Sequence, residues 1–212
     1  RVDNITDAIA KEYRAALGAD VSRDDIFHYV YGVLHDPNYR EAYAADLKKM
    51  LPHIETPTDR KRFNHVTSVG KKLMDLHVGY EDVDPYPLKV ELKETADPED
   101  RETWRVQKMK WGKVRNLDTK KLVDDQTTII YNSKVTITGI PPETNDYILG
   151  PRSALAWIID QYQVTKDKKS GIINDPNAWA DEHGNPRYII DLIKKVTTVS
   201  IETMRLVASM DD

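Results

Sequence analysis

The spacing of apolar positions changes along the chain, and its first eighty residues follow the three-to-four-residue period of helices. Asn4 can cap a first helix that runs to about Leu17 and is closed by Gly18. Ser22 and Asp25 lie three residues apart, the spacing of a capping box, and predict the start of a second helix. This part of the chain is therefore predicted to be a helical lobe.

Two further helices are predicted in the same lobe. Pro37 fits the first helical position after Asp36. One buried face of this helix is expected to carry Tyr39, Tyr43, Leu47 and Leu51. Thr58 or Asp59 starts the fourth helix. Its apolar stripe comprises Phe63, Val66, Leu73 and Leu76.

The middle of the chain follows the two-residue period of strands. Val90 and Leu92 alternate with polar residues, as in a strand with one wet face. Twisted strands are also expected around Trp104, Val106, Met109 and Trp111. The β-branched segments 127–131 and 134–138 flank Asn132-Ser133, a two-residue hairpin signal because asparagine tolerates positive φ.

Helical period returns in the last third, over 153–162 and from Pro186 to Met210. The final helix has an inner face of Ile189, Leu192, Ile193, Val196, Val199, Thr203 and Leu206. The pattern predicts an α+β fold, in which the N-terminal helices and the long C-terminal helix pack around a small antiparallel sheet. We expect one compact unit built from a helical lobe (1–82), a β region (83–140) and a C-terminal helical region (141–212).

Composition narrows the class of protein. The 212 residues include no cysteine, which excludes disulfides, thiolate metal sites and thiol nucleophiles and fits a reducing cytoplasm. Apolar runs are only a few residues long and no leader opens the chain, so neither a membrane span nor a signal peptide is predicted. The start at Arg1 rather than Met suggests a segment of a longer polypeptide.

The net charge of −4 argues against nucleic-acid binding, but the charges are unevenly distributed. Residues 104–121 carry seven basic side chains and one acidic one, and residues 60–72 carry five basic and no acidic ones. Residues 75–102 carry ten acids against three basic residues. Such alternation suggests separate basic and acidic faces, because phosphate binding depends on where the cations lie. Ordinary solvated surface charge is the alternative explanation.

Several cations are candidates for phosphate contact. Lys108, Lys110 and Lys113 belong to one predicted strand and could line a groove wall. Arg152 and Ser153 stand at a helix start, where free backbone amides favour a phosphate; a helix cap with a surface salt bridge is the alternative. A short loop, predicted to be flexible, adds Lys166, Lys168 and Lys169.

Four residues near strand ends are candidates for reading bases. Their forked or amide groups match guanine and adenine edges in the major groove. They are Arg115, Asn116, Gln126 and Asn132. Trp104 and Trp111 could stack on a base, although aromatic residues on strands more often belong to the core.

Catalytic motifs are mostly absent from the sequence. It has no Gly-x-x-x-x-Gly-Lys phosphate loop, and its six histidines show no metal-ligand spacing. Asp84, Glu91 and Lys93 imitate the carboxylates and lysine of metal-dependent nucleases, which leaves a nuclease as a remote alternative.

Several blocks of the sequence resemble the C-terminal part of type ISP restriction-modification enzymes. The resemblance is strongest in ITGIPP (137–142), RSALAWIIDQYQV (152–164) and GIINDPN (171–177), and extends to DIFHYVYG (25–32), Leu76-His77 and Tyr80-Glu81. In that bacterial family one polypeptide joins a nuclease, a DNA translocase, an adenine methyltransferase and a target-recognition domain. The blocks cover nearly the whole chain.

The resemblance implies a non-catalytic module that recognises double-stranded DNA and directs the attached methyltransferase and translocase. No cofactor is expected in this segment, whereas S-adenosylmethionine, ATP and Mg²⁺ would serve other parts of the polypeptide. The methyltransferase signature Asn-Pro-Pro-Tyr is missing, since Ile140-Pro141-Pro142-Glu143 lacks the asparagine. The rival interpretation is a helical coupler that docks the motor to the methyltransferase without reading bases.

Overall fold

The computed structural model describes residues 3–211, so residues 1, 2 and 212 of the predicted segments lie outside the described part. The described chain divides into a helical unit, residues 3–79 and 202–211, and a mixed unit, residues 80–201. The three predicted segments are grouped differently here. The β region and most of the C-terminal helical region form the mixed unit, and the end of the C-terminal helix belongs to the helical unit. That the chain acts as one target-recognition unit stays a prediction.

The helices of the helical unit begin at local caps. They are α1 (Asp7–Leu17), α2 (Arg23–Val33), α3 (Pro37–Ala42) and α4 (Arg60–Val78). Thr6, not the predicted Asn4, caps α1, because its hydroxyl accepts a hydrogen bond from the Ile9 amide. The capping box of Ser22 and Asp25 is confirmed, as is Pro37 at the first turn of α3.

The core of the helical unit is aromatic at one end and aliphatic at the other. The rings of Tyr13, Tyr29 and Phe63 lie 5.1–6.2 Å apart and are buried. Val69 and Leu73 of α4 pack in a second cluster with Val207 and Met210. The predicted stripe of α4 is therefore confirmed at its buried positions, and Leu76 is half-buried.

The predicted buried face of the third helix is wrong. Helix α3 ends at Ala42, and turns follow through residue 49. Tyr43 is exposed, Leu47 is half-buried and Leu51 is 91% exposed. Tyr39 is half-buried and its ring lies 4.8 Å from that of Tyr43. The four-residue period indicates only that a segment is amphipathic, and the described chain covers this face only in part.

The mixed unit contains a four-stranded sheet, two short hairpins and three helices. In chain order the elements are β1 (Lys89–Leu92), β2 (Lys110–Arg115), β3 (Leu122–Ile130), β4 (Val135–Thr138), β5 (Ile148–Leu149), β6 (Arg152–Ser153), α5 (Ala154–Gln161), β7 (Thr165–Lys166), β8 (Ile173–Asn174), α6 (Asn177–Glu182) and α7 (Tyr188–Ala208). Short 3-10 turns span Arg101–Thr103, Pro142–Asp146 and Ser209–Asp211. Residues of α7 from Glu202 onward lie in the helical unit.

The sheet is antiparallel, in the order β1-β4-β3-β2. The predicted hairpin of segments 127–131 and 134–138 is confirmed as β3 and β4, but its two-residue loop is wrong, because the last pair is Ile130 with Thr136 and a longer loop joins the strands. The φ angle of Asn132 is not positive. Among the described non-glycine residues, a positive φ occurs only at Lys120. Trp104 and Val106 are buried as expected but precede β2 rather than lying on a strand.

The predicted α+β class is confirmed, with helices and a small antiparallel sheet. The inner face of α7 is confirmed too: all its predicted residues are buried except Leu206, which is half-buried. Within residues 3–211, no helix combines the length and the apolar character that crossing a membrane requires.

A polar chain crosses the helical unit. His77 of α4 forms hydrogen bonds through Nδ1 with Tyr31 Oη and through Nε2 with Thr203 Oγ1, each at 2.8 Å. The ring of His35 lies 5.3 Å from that of His77. Burial, with a smaller contribution from His35, lowers the pKa of His77 to about 4. Burial also lowers the pKa of His35. His35 also forms a hydrogen bond, between its Nδ1 and the Tyr31 carbonyl at 2.8 Å.

We expect the free energy of unfolding to fall as pH drops from about 6.5 to about 4. Over this window the unfolded His77 binds a proton that the folded one does not, so acid favours unfolding. The expected loss is about 1–2 kcal/mol, less than the full shift implies because the ring is half-buried. Urea titrations across this range should show a smaller loss for His77→Gln than for the exposed control His53→Gln. Equal losses in the two variants would contradict this.

Candidate nucleic-acid interface

The candidate interface lies along β2 and β3, whose pairing is interrupted. Trp111 pairs with Ile129, but the next residue of β2, Gly112, pairs with Asp125. Residues 126–128 therefore have no partner on β2 and form a bulge. Beyond the bulge the two strands are exposed on both faces, as far as the turn at residues 116–121.

Two clefts meet at Lys108. One, of about 460 Å³, is lined by Gln107, Lys108, Lys110, Lys134 and five neighbours. The other, of about 270 Å³, is lined by Lys108, Trp111, Arg152 and Gln163, among others. The Val164 amide donates to the Gln107 carbonyl at 2.9 Å, which holds the start of the β7–β8 hairpin beside this site. The fold thus brings cations from three separate stretches of sequence to one region of the mixed unit.

The cations of this region differ in how they are neutralised. Lys113 pairs with Asp124, and Arg152 pairs with Asp160 at 2.6 Å. Within residues 3–211, six predicted contact residues form no ion pair: Lys108, Lys110, Arg115, Lys166, Lys168 and Lys169. Their charges are therefore available to an external anion.

Two predicted contact residues have structural roles. Ser153 is buried; its hydroxyl caps α5 at the Ala156 amide and donates to Asn145 at 3.0 Å. With the Arg152–Asp160 pair, this is the cap and salt bridge that the sequence left as the alternative. Asn132 donates to the carbonyls of Thr103 and Arg105, each at 2.9 Å, and accepts from two backbone amides of its loop, Lys134 and Val135. All four hydrogen-bonding positions of its amide are filled, so no base edge can bind without breaking the loop.

The other three base-reading candidates are placed differently. Gln126 lies exposed in the bulge, and its side chain has no hydrogen bond within the described chain. Arg115 ends β2 and is also exposed. The side-chain oxygen Oδ1 of Asn116 accepts from the backbone amides of Asp118 and Thr119 and from the Thr119 hydroxyl, which leaves only the side-chain NH₂ group available. Gln126 and Arg115 are therefore the candidates best able to reach a base.

The predicted flexible loop with three lysines is an ordered turn between β7 and β8. Asp167 Oδ1 accepts hydrogen bonds from the Lys169 and Ser170 amides and from the Ser170 hydroxyl. Hydrogen bonds from Ser170 lower the pKa of Asp167, so this carboxylate stays charged while it holds the turn. The lysines Lys166, Lys168 and Lys169 are held outward on a defined scaffold.

The larger cleft is supported by a network that the sequence analysis did not predict. Arg105 is only 19% exposed and pairs with Asp175 and Asp181, each at 2.7 Å. Buried Asn177 bonds both the amide and the carbonyl of Val106, at 2.8 and 2.9 Å. Asp175 and Asn177 lie in the segment 171–177, and the Asp-Pro-Asn run of that segment is the sequence feature that could have indicated this network. These contacts hold the backbone at Val106, two residues before Lys108.

The remaining candidates are the residues that imitate a nuclease, Asp84, Glu91 and Lys93, and the two tryptophans. Glu91 pairs with Lys89 at 2.8 Å, and this interaction lowers the pKa of Glu91. Across residues 3–211, no three histidine or carboxylate side chains lie close enough together to hold a metal ion. Trp104 is buried, as the core interpretation expects, and Trp111 is half-buried beside the smaller cleft.

Comparison with known proteins identifies relatives that match most of the chain. The family model of the type ISP C-terminal specificity domain matches residues 1–192. A nuclease-deletion mutant of the type ISP restriction-modification enzyme LlaGI, solved with a DNA substrate mimic, is 42% identical over 89% of this chain, with a TM-score of 0.70. The ATP-dependent type ISP enzyme LlaBIII bound to DNA is 34% identical over 95%, with a TM-score of 0.75.

A DrdV–DNA complex is also similar, at 35% identity over 99% of the chain and a TM-score of 0.79. The chain covers only 14%, 12% and 20% of the LlaGI, LlaBIII and DrdV chains. No curated protein is significantly similar to it.

Proposed function

The chain belongs to the family of type ISP C-terminal specificity domains, and from this membership we propose that it selects a sequence of double-stranded DNA. The resemblance inferred from its sequence blocks is thereby confirmed. In this proposal the chain performs no chemistry. It directs an attached adenine methyltransferase and an ATP-dependent translocase and nuclease, which use S-adenosylmethionine, ATP and Mg²⁺ elsewhere in the polypeptide.

The observation that carries the proposal is the convergence of unpaired cations at the two clefts. Lys108 borders both clefts and Lys110 borders one. Lys166 follows two residues after Val164, whose amide donates to the Gln107 carbonyl at the larger cleft. Cations that lack internal partners gain most from phosphates, because no ion pair must first be broken. Three similar enzymes are described in complex with DNA, which supports the same conclusion.

Within this interface we assign phosphate contacts and base contacts to different residues. Lysines at the clefts would contact phosphates and set the register, whereas Arg115 and Gln126 would reach base edges. Arginine matches the two acceptors of guanine, and glutamine matches the donor and acceptor of adenine. Asn132 and Ser153 would support this surface from inside.

The coupler remains a second candidate because of one observation. The segment after α3 exposes three apolar side chains, Tyr43, Met50 and Leu51, by 40%, 66% and 91%. Such a surface suits contact with another protein domain. A protein contact at this surface is compatible with base reading elsewhere in the chain. Variants of Arg115 and Gln126, the proposed base-reading residues, therefore distinguish the two functions.

Replacing Arg115 or Gln126 by alanine is expected to relax sequence choice at one position each, at a cost of about 1–3 kcal/mol for a true base contact. Selection of bound duplexes from a randomised pool, followed by sequencing, measures this directly. Asn132→Ala is the matched comparison. It should lower the stability of the mixed unit while leaving the selected bases unchanged among folded molecules. Unaltered preferences for both Arg115→Ala and Gln126→Ala would favour the coupler.

A further inference from the structure

Both ends of the β7–β8 hairpin are bonded to one short segment of the chain, the segment that precedes Lys108. At the start of the hairpin, the Val164 amide donates to the Gln107 carbonyl at 2.9 Å. At its end, Asp175 follows β8 directly and pairs with Arg105 at 2.7 Å. The hairpin is therefore closed at both ends against the same segment.

Asn177 completes the hydrogen bonds at the end of the hairpin, and this residue is only 3% exposed. Its Oδ1 accepts from the Val106 amide at 2.8 Å, and its Nδ2 donates to the Val106 carbonyl at 2.9 Å and to Asp175 Oδ1 at 2.7 Å. Asp175 uses its other oxygen, Oδ2, for Arg105. Because all these groups are engaged, the loss of one would leave a buried partner without a hydrogen bond.

The Arg105 guanidinium lines the larger cleft, but carboxylates already bind it. Asp175 and Asp181 bind its two terminal nitrogens, and Glu102 lies 3.7 Å from its Nε. The charge of Arg105 is thus offset inside the protein. An effect of this network on DNA binding must therefore act through the neighbouring cation Lys108, which forms no ion pair within residues 3–211.

We propose that Asp175 and Asn177 are positioning residues for DNA binding, which contact no DNA but hold Lys108 in a fixed place beside the β7–β8 hairpin. A cation that is held in place before binding loses less conformational entropy when it meets a phosphate. Lys108 borders both clefts, so a shift of its backbone would alter the geometry of both. This inference rests on the proposed function and adds the residues that fix its geometry.

Asp175→Asn distinguishes positioning from simple electrostatics, because the two predict opposite changes in DNA affinity. Removing a carboxylate near the clefts reduces the repulsion of phosphates and frees Arg105, so electrostatics alone predicts tighter binding. If Asp175 positions Lys108, the variant should instead bind a selected duplex about tenfold more weakly. Fluorescence anisotropy with the labelled duplex measures the change.

The matched control is Glu182→Gln. It removes the same charge from an exposed position of α6, where the side chain forms no hydrogen bond or ion pair in the described chain. This variant should bind the duplex at least as tightly as the unmodified chain does.

A double-mutant cycle identifies Lys108 as the cation through which Asp175 acts. In the original chain, Lys108→Ala should weaken DNA binding about fivefold, as expected for the loss of one charged contact. In the Asp175→Asn background, the same change should weaken binding by less than about twofold, because the lysine is no longer held in place. A merely structural role of Asp175 would leave the two losses equal.

The variants are compared as folded proteins. Hydrogen exchange at the Val106 amide should accelerate in Asp175→Asn, whereas exchange of the β4 amides should not change. If Asp175→Asn does not fold, Arg105→Lys replaces it, because lysine keeps the charge but lacks the fork that joins Asp175 to Asp181. Arg105→Lys should also weaken DNA binding.

The outcomes separate this inference from the proposed function. Equal or tighter DNA binding by the folded variant, equal weakening by Glu182→Gln, or full additivity with Lys108→Ala overturns the positioning role and leaves sequence selection intact. Failure of the unmodified chain to bind any duplex overturns the proposed function, and the positioning role with it.

Discussion

Gly70→Ala is expected to destabilise the helical unit by more than about 4 kcal/mol, because its new methyl group has no space. A Cβ at Gly70 would lie 2.0 Å from the backbone carbonyl oxygen of His28 and 2.9 Å from the amide nitrogen of Gly32. Both obstacles are backbone atoms of α2, so only separation of α2 from α4 could relieve the overlap. The better helix propensity of alanine, about 1 kcal/mol, is too small to compensate.

Ser68→Ala is the matched control, since it places the same side chain on an exposed position of the same helix. We expect its midpoint of urea unfolding to stay at or slightly above that of the original chain. Gly70→Ala should unfold at much lower urea, or fail to fold. A loss below about 1 kcal/mol for Gly70→Ala would show that α2 and α4 do not approach this closely.

The double variant Lys108→Ala/Lys110→Ala is expected to weaken DNA binding by about 30-fold on every sequence, at about 1 kcal/mol for each lost charged contact. Both lysines line the larger cleft and lack an internal ion pair in the described chain. Because the loss concerns phosphates, sequence preference should persist. The slope of log affinity against log salt concentration should become shallower by about 1.8, at about 0.9 for each contact.

The control is Lys48→Ala/Lys49→Ala, which removes the same charge from exposed positions of the helical unit. Its salt slope should equal that of the original chain. Lys113→Ala should have a smaller effect than either cleft lysine, because the ion pair with Asp124 already offsets its charge. An unchanged slope in the cleft variant would exclude Lys108 and Lys110 from the interface.

The sequence by itself determined features whose causes lie within a few residues. The capping box of Ser22 and Asp25 and the proline at the start of α3 were predicted correctly, because both interactions are local. The inner face of α7 was also predictable, since burial of a long amphipathic helix follows its own period. The family resemblance rested on blocks of sequence and needed no structure.

Only the tertiary structure decided which candidate side chains are available. Asn132 is saturated by carbonyls 27 and 29 residues away, and no local pattern records such partners. The bulge at Gly112 sets which residues of β2 and β3 face each other, and the Val164–Gln107 bond brings a distant hairpin beside Lys108. Residue type and spacing identify groups that can bind DNA. Whether each group is free or already bonded depends on contacts that form only when distant segments fold together.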